Sequence, residues 1–271
     1  MCTEMISRVV ISGGKGFVGK NLRKFLSKNK ISSISISRNH FTANKFPLLK
    51  NASHFIHLAG IGSESINQNS FVKVNIELTK TVINLCKKNN IKNIIYFSGL
   101  GVSKKSRSSY FISKFNAEQL IKKSGLQYTI FRPSYILGAD DYLTKNISKQ
   151  IQKKQILIPG SGNFILQPIS IDDVCSCINI TLHSSKFLNK TIDLVGPKKI
   201  LFKNIIKKSV SSKIKIKKID LELAYQKALN DINFEYSVED LNILVGNYVG
   251  NQKKLQNLYD FKFKNVESLN T

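Results

Sequence analysis

Long apolar runs, acidic side chains, arginine and an organised set of cysteines are all scarce in this chain. No uninterrupted apolar stretch approaches the ~20 residues that cross a bilayer, which excludes a helical span. The four cysteines, Cys2, Cys86, Cys175 and Cys177, match no zinc or redox spacing. Cys86 falls in an apolar helical stripe, so the set reads as buried thiols in a reducing compartment, and no metal site is expected. The opening segment, Met1 to Arg8, runs straight into an apolar strand with no room for a signal peptide, so the expected location is cytoplasmic. No internal repeat or low-complexity linker divides the chain.

Acidic residues number 17 against 42 Lys and Arg, a formal charge of +25. Such a balance attracts nucleic acid and anionic membranes. Only five of the 42 basic residues are Arg, however, and the lysines are scattered among abundant Asn and Ile. We read this as background composition and expect no nucleic-acid partner. The densest basic stretch, Lys198 to Lys218, contains Lys213-Ile214-Lys215-Ile216-Lys217, the alternation of a strand with one solvated face whose lysines guard a sheet edge.

What is present begins near the N-terminus. Arg8-Val9-Val10-Ile11 reads as a buried parallel strand, and Phe17, Val18, Leu22, Phe25 and Leu26 recur at helical spacing. Between them lies Ser12-Gly13-Gly14-Lys15-Gly16-Phe17-Val18-Gly19, a turn that receives phosphate. Gly13 allows a tight backbone, Gly16 lets main chain approach a pyrophosphate, and Gly19 lets the helix lie close on the sheet. Free N–H groups and the helix dipole then meet the anion. A second strand, Ile31 to Ser37, ends at Arg38 rather than at an acidic residue. With Lys15 in the turn, that cation favours NADP(H), whose 2′-phosphate it would meet, with NAD(H) as the alternative. Only about a dozen residues, interrupted by Pro47, lead to the next strand, too few for a helix and a strand, so the adenine side of the cleft is trimmed.

The third strand, His54 to His57, is followed by Leu58-Ala59-Gly60, small residues that let a cofactor pass close to the backbone. His57, alone on an apolar strand, reads as a packed core residue before it reads as a catalyst. A helix from Phe71 to Asn89 buries Val72, Ile76, Leu78, Val82, Ile83 and Leu85 and turns Asn75 toward the glycine turn. A fourth strand, Ile91 to Phe97, ends in Ser98-Gly99. Tyr110 and Lys114 then stand four apart on a helix and share a face. An ammonium near a phenol favours the phenolate, which suits the tyrosine to exchange a proton with a carbonyl or alcohol.

Taken together, Gly13-x-x-Gly16-x-x-Gly19, His57-Leu58-Ala59-Gly60, Asn75, Tyr110-x-x-x-Lys114 and Arg132-Pro133-Ser134-Tyr135-Ile136-Leu137-Gly138 resemble the extended short-chain dehydrogenase/reductases, the NAD-dependent epimerase/dehydratase type, from Arg8 to about Asp173. The resemblance implies an α/β fold: a Rossmann-type doubly wound parallel sheet with a small C-terminal α+β substrate lobe. Residues 1–271 would form one NAD(P)-binding domain, with lobe elements mainly in 139–170 and 196–271. It further implies that Arg132-Pro133 ends a strand beside the nicotinamide, and that Asp172 or Asp173 caps a helix. Tyr135, Tyr142, Asn163 and Phe164 could line the substrate side, with ordinary packing as the other reading for each.

Two departures direct the functional expectation. Leu100 falls where extended members carry a third catalytic hydroxyl, leaving Ser98 or Ser103 as substitutes, and the loop to Tyr110 is short. Both are similar to the atypical branch that includes the 39-kDa accessory subunit of respiratory complex I. Three readings follow: an oxidoreductase acting on a small carbonyl or alcohol through Tyr110, Lys114 and Ser98; a non-catalytic NADPH-binding accessory subunit, peripheral on a membrane complex at its cytoplasmic face; and a nucleotide-sugar epimerase or dehydratase. The expected cofactor contacts are Gly13, Gly14, Lys15, Gly16, Phe17, Val18, Gly19, Arg38, Leu58, Ala59, Gly60, Asn75, Ser98, Tyr110, Lys114, Arg132 and Pro133.

Overall fold

Apolar runs too short for helices and rich in Val, Ile and Phe form the strands, and the 3.6-residue stripes between them form the helices. The computed structural model describes residues 8–64 and 70–269; the expectations about Cys2 and the first seven residues lie outside them. In chain order the first half holds β1 (Arg8–Ser12), α1 (Phe17–Lys28), β2 (Ser32–Ile36), α2 (Arg38–Thr42), β3 (His54–His57), α3 (Leu78–Lys88), β4 (Asn93–Phe97), α4 (Ser109–Lys122) and β5 (Gln127–Pro133). It continues with β6 (Ile136–Leu137), α5 (Tyr142–Gln152), β7 (Gln155–Pro159), β8 (Ile165–Leu166), β9 (Ile169–Ser170), α6 (Ile171–Leu182) and β10 (Lys190–Leu194). The rest is β11 (Ile200–Leu201), α7 (Phe202–Ser209), β12 (Lys215–Ile219), α8 (Leu221–Asn230), α9 (Val238–Val245) and α10 (Gln252–Leu258).

The chain divides into two compact units, residues 1–132 with 172–193, and residues 133–171 with 194–271. The first is a Rossmann-type α/β unit whose six-stranded sheet has the order β10-β5-β4-β3-β1-β2. From β2 to β5 every neighbouring pair is parallel. Val10, Phe55, Ile94, Tyr96 and Ile130 from the sheet close on Val82, Cys86, Ala117 and Ile121 from the helices. No described strand lies beyond β2, in keeping with the short spacing after Arg38. Residues 43–53 instead return the chain to β3, with Phe41 and Phe46 packed on the core.

The helix expected from Phe71 opens as a π-helical turn, Val72–Glu77, before α3. A π turn accommodates an extra residue and shifts the register of everything before it. Val72, expected inside, is therefore 58% exposed, while Asn75 is buried. Asp172 and Asp173 lie within the first turn of α6, which begins at Ile171. They complement the helix dipole there instead of serving as the cap. The thiols of Cys86, Cys175 and Cys177 are free and buried. Burial pushes Cys86 and Cys175 up to about 12, and Cys177 well up, so all three are inert at neutral pH.

The second unit is built around Leu137, Ile147, Ile156, Phe202, Ile205 and Leu241. Its parallel pair β7 and β12 carries the basic strand, with Lys215 and Lys217 exposed on either side of half-buried Ile216. Tyr142 is 65% exposed and donates its hydroxyl to Asp240 at 2.9 Å, while Phe164 packs on this core. Among the described residues, no helix is long and apolar enough to cross a membrane.

Candidate functional site

The strand-to-helix handover at the start of the first unit sets the site. Gly13 has φ +76°, and a Cβ there would lie 2.7 Å from the Ala59 nitrogen, so only glycine fits. Gly19 acts differently from expectation. A Cβ on it would meet the Gly13 carbonyl oxygen at 2.3 Å and Gly14 Cα at 2.6 Å, so it makes room for the turn's own backbone rather than for the sheet. Gly14 is crowded by side chains instead, with Ser35 Oγ 2.2 Å and Arg23 Cδ 3.2 Å from where a Cβ would be. Gly16 is the exposed member, and it is the N-cap of α1 without a side-chain cap or an acidic residue in the first turn. The donor set of the opening amides of α1 suits a phosphate. Half-buried Phe17 and Val18 begin that helix; Lys15 and Arg38 are exposed, Arg38 as the first residue of α2.

Beside the turn, the loop after β3 is held at two points. Ser12 Oγ lies 2.7 Å from His57 Nδ1 and accepts from the Ala59 amide at 3.5 Å. Asn75 binds Ile61 from the other side: its Oδ1 accepts from the Ile61 amide at 3.0 Å and its Nδ2 donates to the Ile61 carbonyl at 3.2 Å. Nδ2 also donates to Ser113 Oγ on α4 at 2.9 Å. Leu58 and Ala59 are half-buried and Gly60 is exposed. A Cβ on Gly60 would stand 2.9 Å from Lys114 Nζ and 3.1 Å from Asn75 Oδ1.

Ser108 caps α4, accepting from the Phe111 amide at 3.3 Å, and thereby starts the turn that presents Tyr110. Tyr110 is half-buried, its ring 6.0 Å from that of Phe71 and 5.2 Å from that of Phe111. Its hydroxyl lies 3.3 Å from where a Cβ on Gly99 would be. Lys114 is buried, donates to the Phe97 carbonyl at 2.9 Å and lies 5.0 Å from the centre of the Tyr96 ring. Desolvation brings its ammonium down to about 8, against a smaller opposing pull from Glu118. Tyr110, Lys114, Asn75, Gly60 and Gly99 thus form one neighbourhood.

Two expected members are engaged elsewhere. Ser98 donates its hydroxyl to Glu118 Oε1 at 2.6 Å. Arg132 clamps the same carboxylate with Nε at 2.8 Å and a second nitrogen at 2.7 Å. Glu118 is fully buried, and its pairing raises the Arg132 guanidinium above its usual range. Pro133 ends β5 beside Arg132. Leu100 is buried and brings no hydroxyl, while exposed Ser103 accepts from the Lys105 amide at 3.2 Å. His57 is a packed residue, fully buried between Ser12 and Thr79. Sequence reasoning missed Ser12, Thr79, Ser113 and Glu118, each of which has a partner 20 or more residues away. Only the hydroxyl or carboxylate at an otherwise apolar or helical position could have flagged them.

The sequence model of the NAD dependent epimerase/dehydratase family matches residues 9–192. Prestalk A differentiation protein A of Dictyostelium discoideum is 23% identical over 82% of this chain and 76% of its own length. The mitochondrial NADH-ubiquinone oxidoreductase 40 kDa subunit of Neurospora crassa is 26% identical over 48% of this chain and 34% of its own. A 4-hydroxy-2-methyl-3-oxo-4-farnesyl-3,4-dihydroquinoline-1-oxide ketoreductase of Stigmatella aurantiaca is 24% identical, covering 62% of each. The chain therefore spans less than two thirds of the latter two relatives. Among solved structures, a nucleoside-diphosphate-sugar epimerase of Staphylococcus aureus superposes with TM-score 0.73 at 13% identity, over 95% of this chain and 97% of that one. The NADPH-dependent quinone oxidoreductase of Escherichia coli, complexed with NADPH, gives 0.70 at 16%, over 95% and 96%.

Proposed function

We propose, from the premise that this chain belongs to the NAD dependent epimerase/dehydratase family, that it binds NADP(H) at the glycine turn and exchanges hydride with a small carbonyl or alcohol. The observation that carries this reading is the shared neighbourhood of Tyr110, Lys114, Asn75 and the Gly60 loop, reached from an uncapped helix N-terminus. When bound, the nicotinamide supplies or accepts the hydride. Tyr110 gives the proton to the carbonyl oxygen or takes it from the alcohol. Lys114, buried between the Phe97 carbonyl and the Tyr96 ring, sets the local charge and offers its remaining hydrogens to ribose hydroxyls. Lys15 and Arg38, both exposed near the adenosine end, favour the 2′-phosphate. Support comes from the NADPH-dependent quinone oxidoreductase and the ketoreductase among the similar proteins.

The deciding test is Tyr110→Phe assayed with NADPH and a panel of carbonyls. Turnover should fall roughly 10²- to 10⁴-fold, the usual worth of a general acid, while coenzyme affinity stays within about twofold. Equal turnover in the variant removes Tyr110 from the chemistry.

A second reading is favoured by one observation: Ser98, the hydroxyl that would have to replace the one absent at Leu100, is committed to Glu118. On that reading the protein holds NADPH without turnover as an accessory subunit, in line with its similarity to the complex I subunit. Mass spectrometry of nucleotide released from the purified protein separates the two. Stoichiometric NADPH retained through purification, with no turnover on any carbonyl, supports the accessory role.

A further inference from the structure

We propose that His57 is a positioning residue, held in its Nε2–H form within a one-way chain of hydrogen bonds that links Ser12, beside the phosphate turn, to the Asn75 carbonyl in the π-helical turn. The direction of the chain follows from its last member. A carbonyl oxygen can only accept, so Thr79 donates its single hydroxyl hydrogen to the Asn75 carbonyl at 2.7 Å. At 3.0 Å from His57 Nε2, Thr79 Oγ1 has only lone pairs to offer, and Nε2 must carry the proton. Burial and the nearby Lys114 charge hold the ring down to about 3, hence neutral. Nδ1 is then bare, and Ser12 donates to it at 2.7 Å while its oxygen takes the Ala59 amide.

Both ends of the chain are main chain, Ala59 N–H and Asn75 C=O. The Asn75 side chain meanwhile grips Ile61 through both backbone groups. Gly60, between these anchors, is the residue that faces Lys114, and Ala59 is the one that Gly13 abuts. His57 is therefore the rigid spacer that sets the phosphate turn against the Tyr110–Lys114 helix. A hydrophobe of equal volume would fill the space but leave the Ser12 hydroxyl without its acceptor and the Thr79 oxygen without its donor.

The functional half of this inference rests on the dinucleotide reading above; the proton arrangement does not. Long-range ¹H–¹⁵N correlation on the full-length protein resolves its imidazoles, of which there are four, with His57→Asn assigning the signal. A neutral ring protonated on Nε2 is expected. In Thr79→Val the Nε2 proton loses its acceptor, and the ring should switch to Nδ1–H donating to Ser12; Thr79→Ser should keep the native form. Calorimetry with NADPH should show about tenfold weaker binding for Thr79→Val and within about twofold for Thr79→Ser, the scale of one hydrogen bond. A wild-type His57 that is charged or protonated on Nδ1, or a Thr79→Val ring that does not switch, overturns the relay. Should the wild type bind no coenzyme, the dinucleotide reading falls and the ring's tautomer still decides the relay. If Thr79→Val does not fold, the wild-type and Thr79→Ser spectra decide it alone.

Discussion

Lys114 is 6% exposed with its ammonium on the Phe97 carbonyl, and its pKa falls from 10.5 to about 8 because the charged form loses water. Between those two values the unfolded chain binds the proton more tightly than the folded one does. Stability therefore rises with pH through the interval from about 8 to 10.5, and the penalty of holding the charge is fully present below 8. Urea titrations across that range should show this rise, a few kcal/mol at most, and Lys114→Met should flatten it. Glu118 presents the opposite case, a buried carboxylate satisfied by Arg132 and Ser98. Glu118→Ala leaves the guanidinium and a hydroxyl without their acceptor, so a loss of about 3 kcal/mol is expected in the same titration. Arg132 keeps 24% of its side chain exposed and can partly rehydrate, which places the figure at the lower end of such losses.

At the scale of the element, the π-helical turn sends Val72 out while Asn75, one turn before buried Thr79, stays inward. A straight α-helix would put Val72, seven residues before buried Thr79, on the same inward face as Asn75. Two substitutions check this by equilibrium unfolding. Val72→Ser should lie within about 0.5 kcal/mol of wild type. Asn75→Leu should cost roughly 1–3 kcal/mol, because both backbone groups of Ile61 lose their partner. Hydrogen exchange should quicken at the Ile61 amide in the second variant and not in the first. The glycine turn was legible because three spaced glycines between a strand and a helix admit few other structures. The wide turn was not, because its extra residue leaves the apolar stripe from Val82 to Cys86 intact and declares itself only in the exposure of Val72.

Over the whole molecule, a formal charge of +25 meets no described helix able to insert into a bilayer. Adsorption to vesicles containing phosphatidylserine should then be electrostatic: strong near 0.01 M salt and lost near 1 M, as the screening length drops from about 30 to 3 Å. Binding that survives 1 M salt in a sedimentation assay would contradict a purely charge-driven association. The same charge, spread over both units, is a property of composition and needed no coordinates. Alternation and helical stripes, which follow from side-chain period along one segment, likewise marked β1 to β4 and the helices α1 and α3. They also placed Gly13, Tyr110 and Lys114 in order along the chain. Tertiary structure alone decided that Ser98 and Arg132 serve Glu118, that Gly19 shelters the turn, and that His57 joins Ser12 to Thr79 across gaps of 45 and 22 residues. Local periodicity reports which face of a segment is buried; the partner of a buried polar group is set by the packing of segments distant in sequence, and no local pattern encodes it.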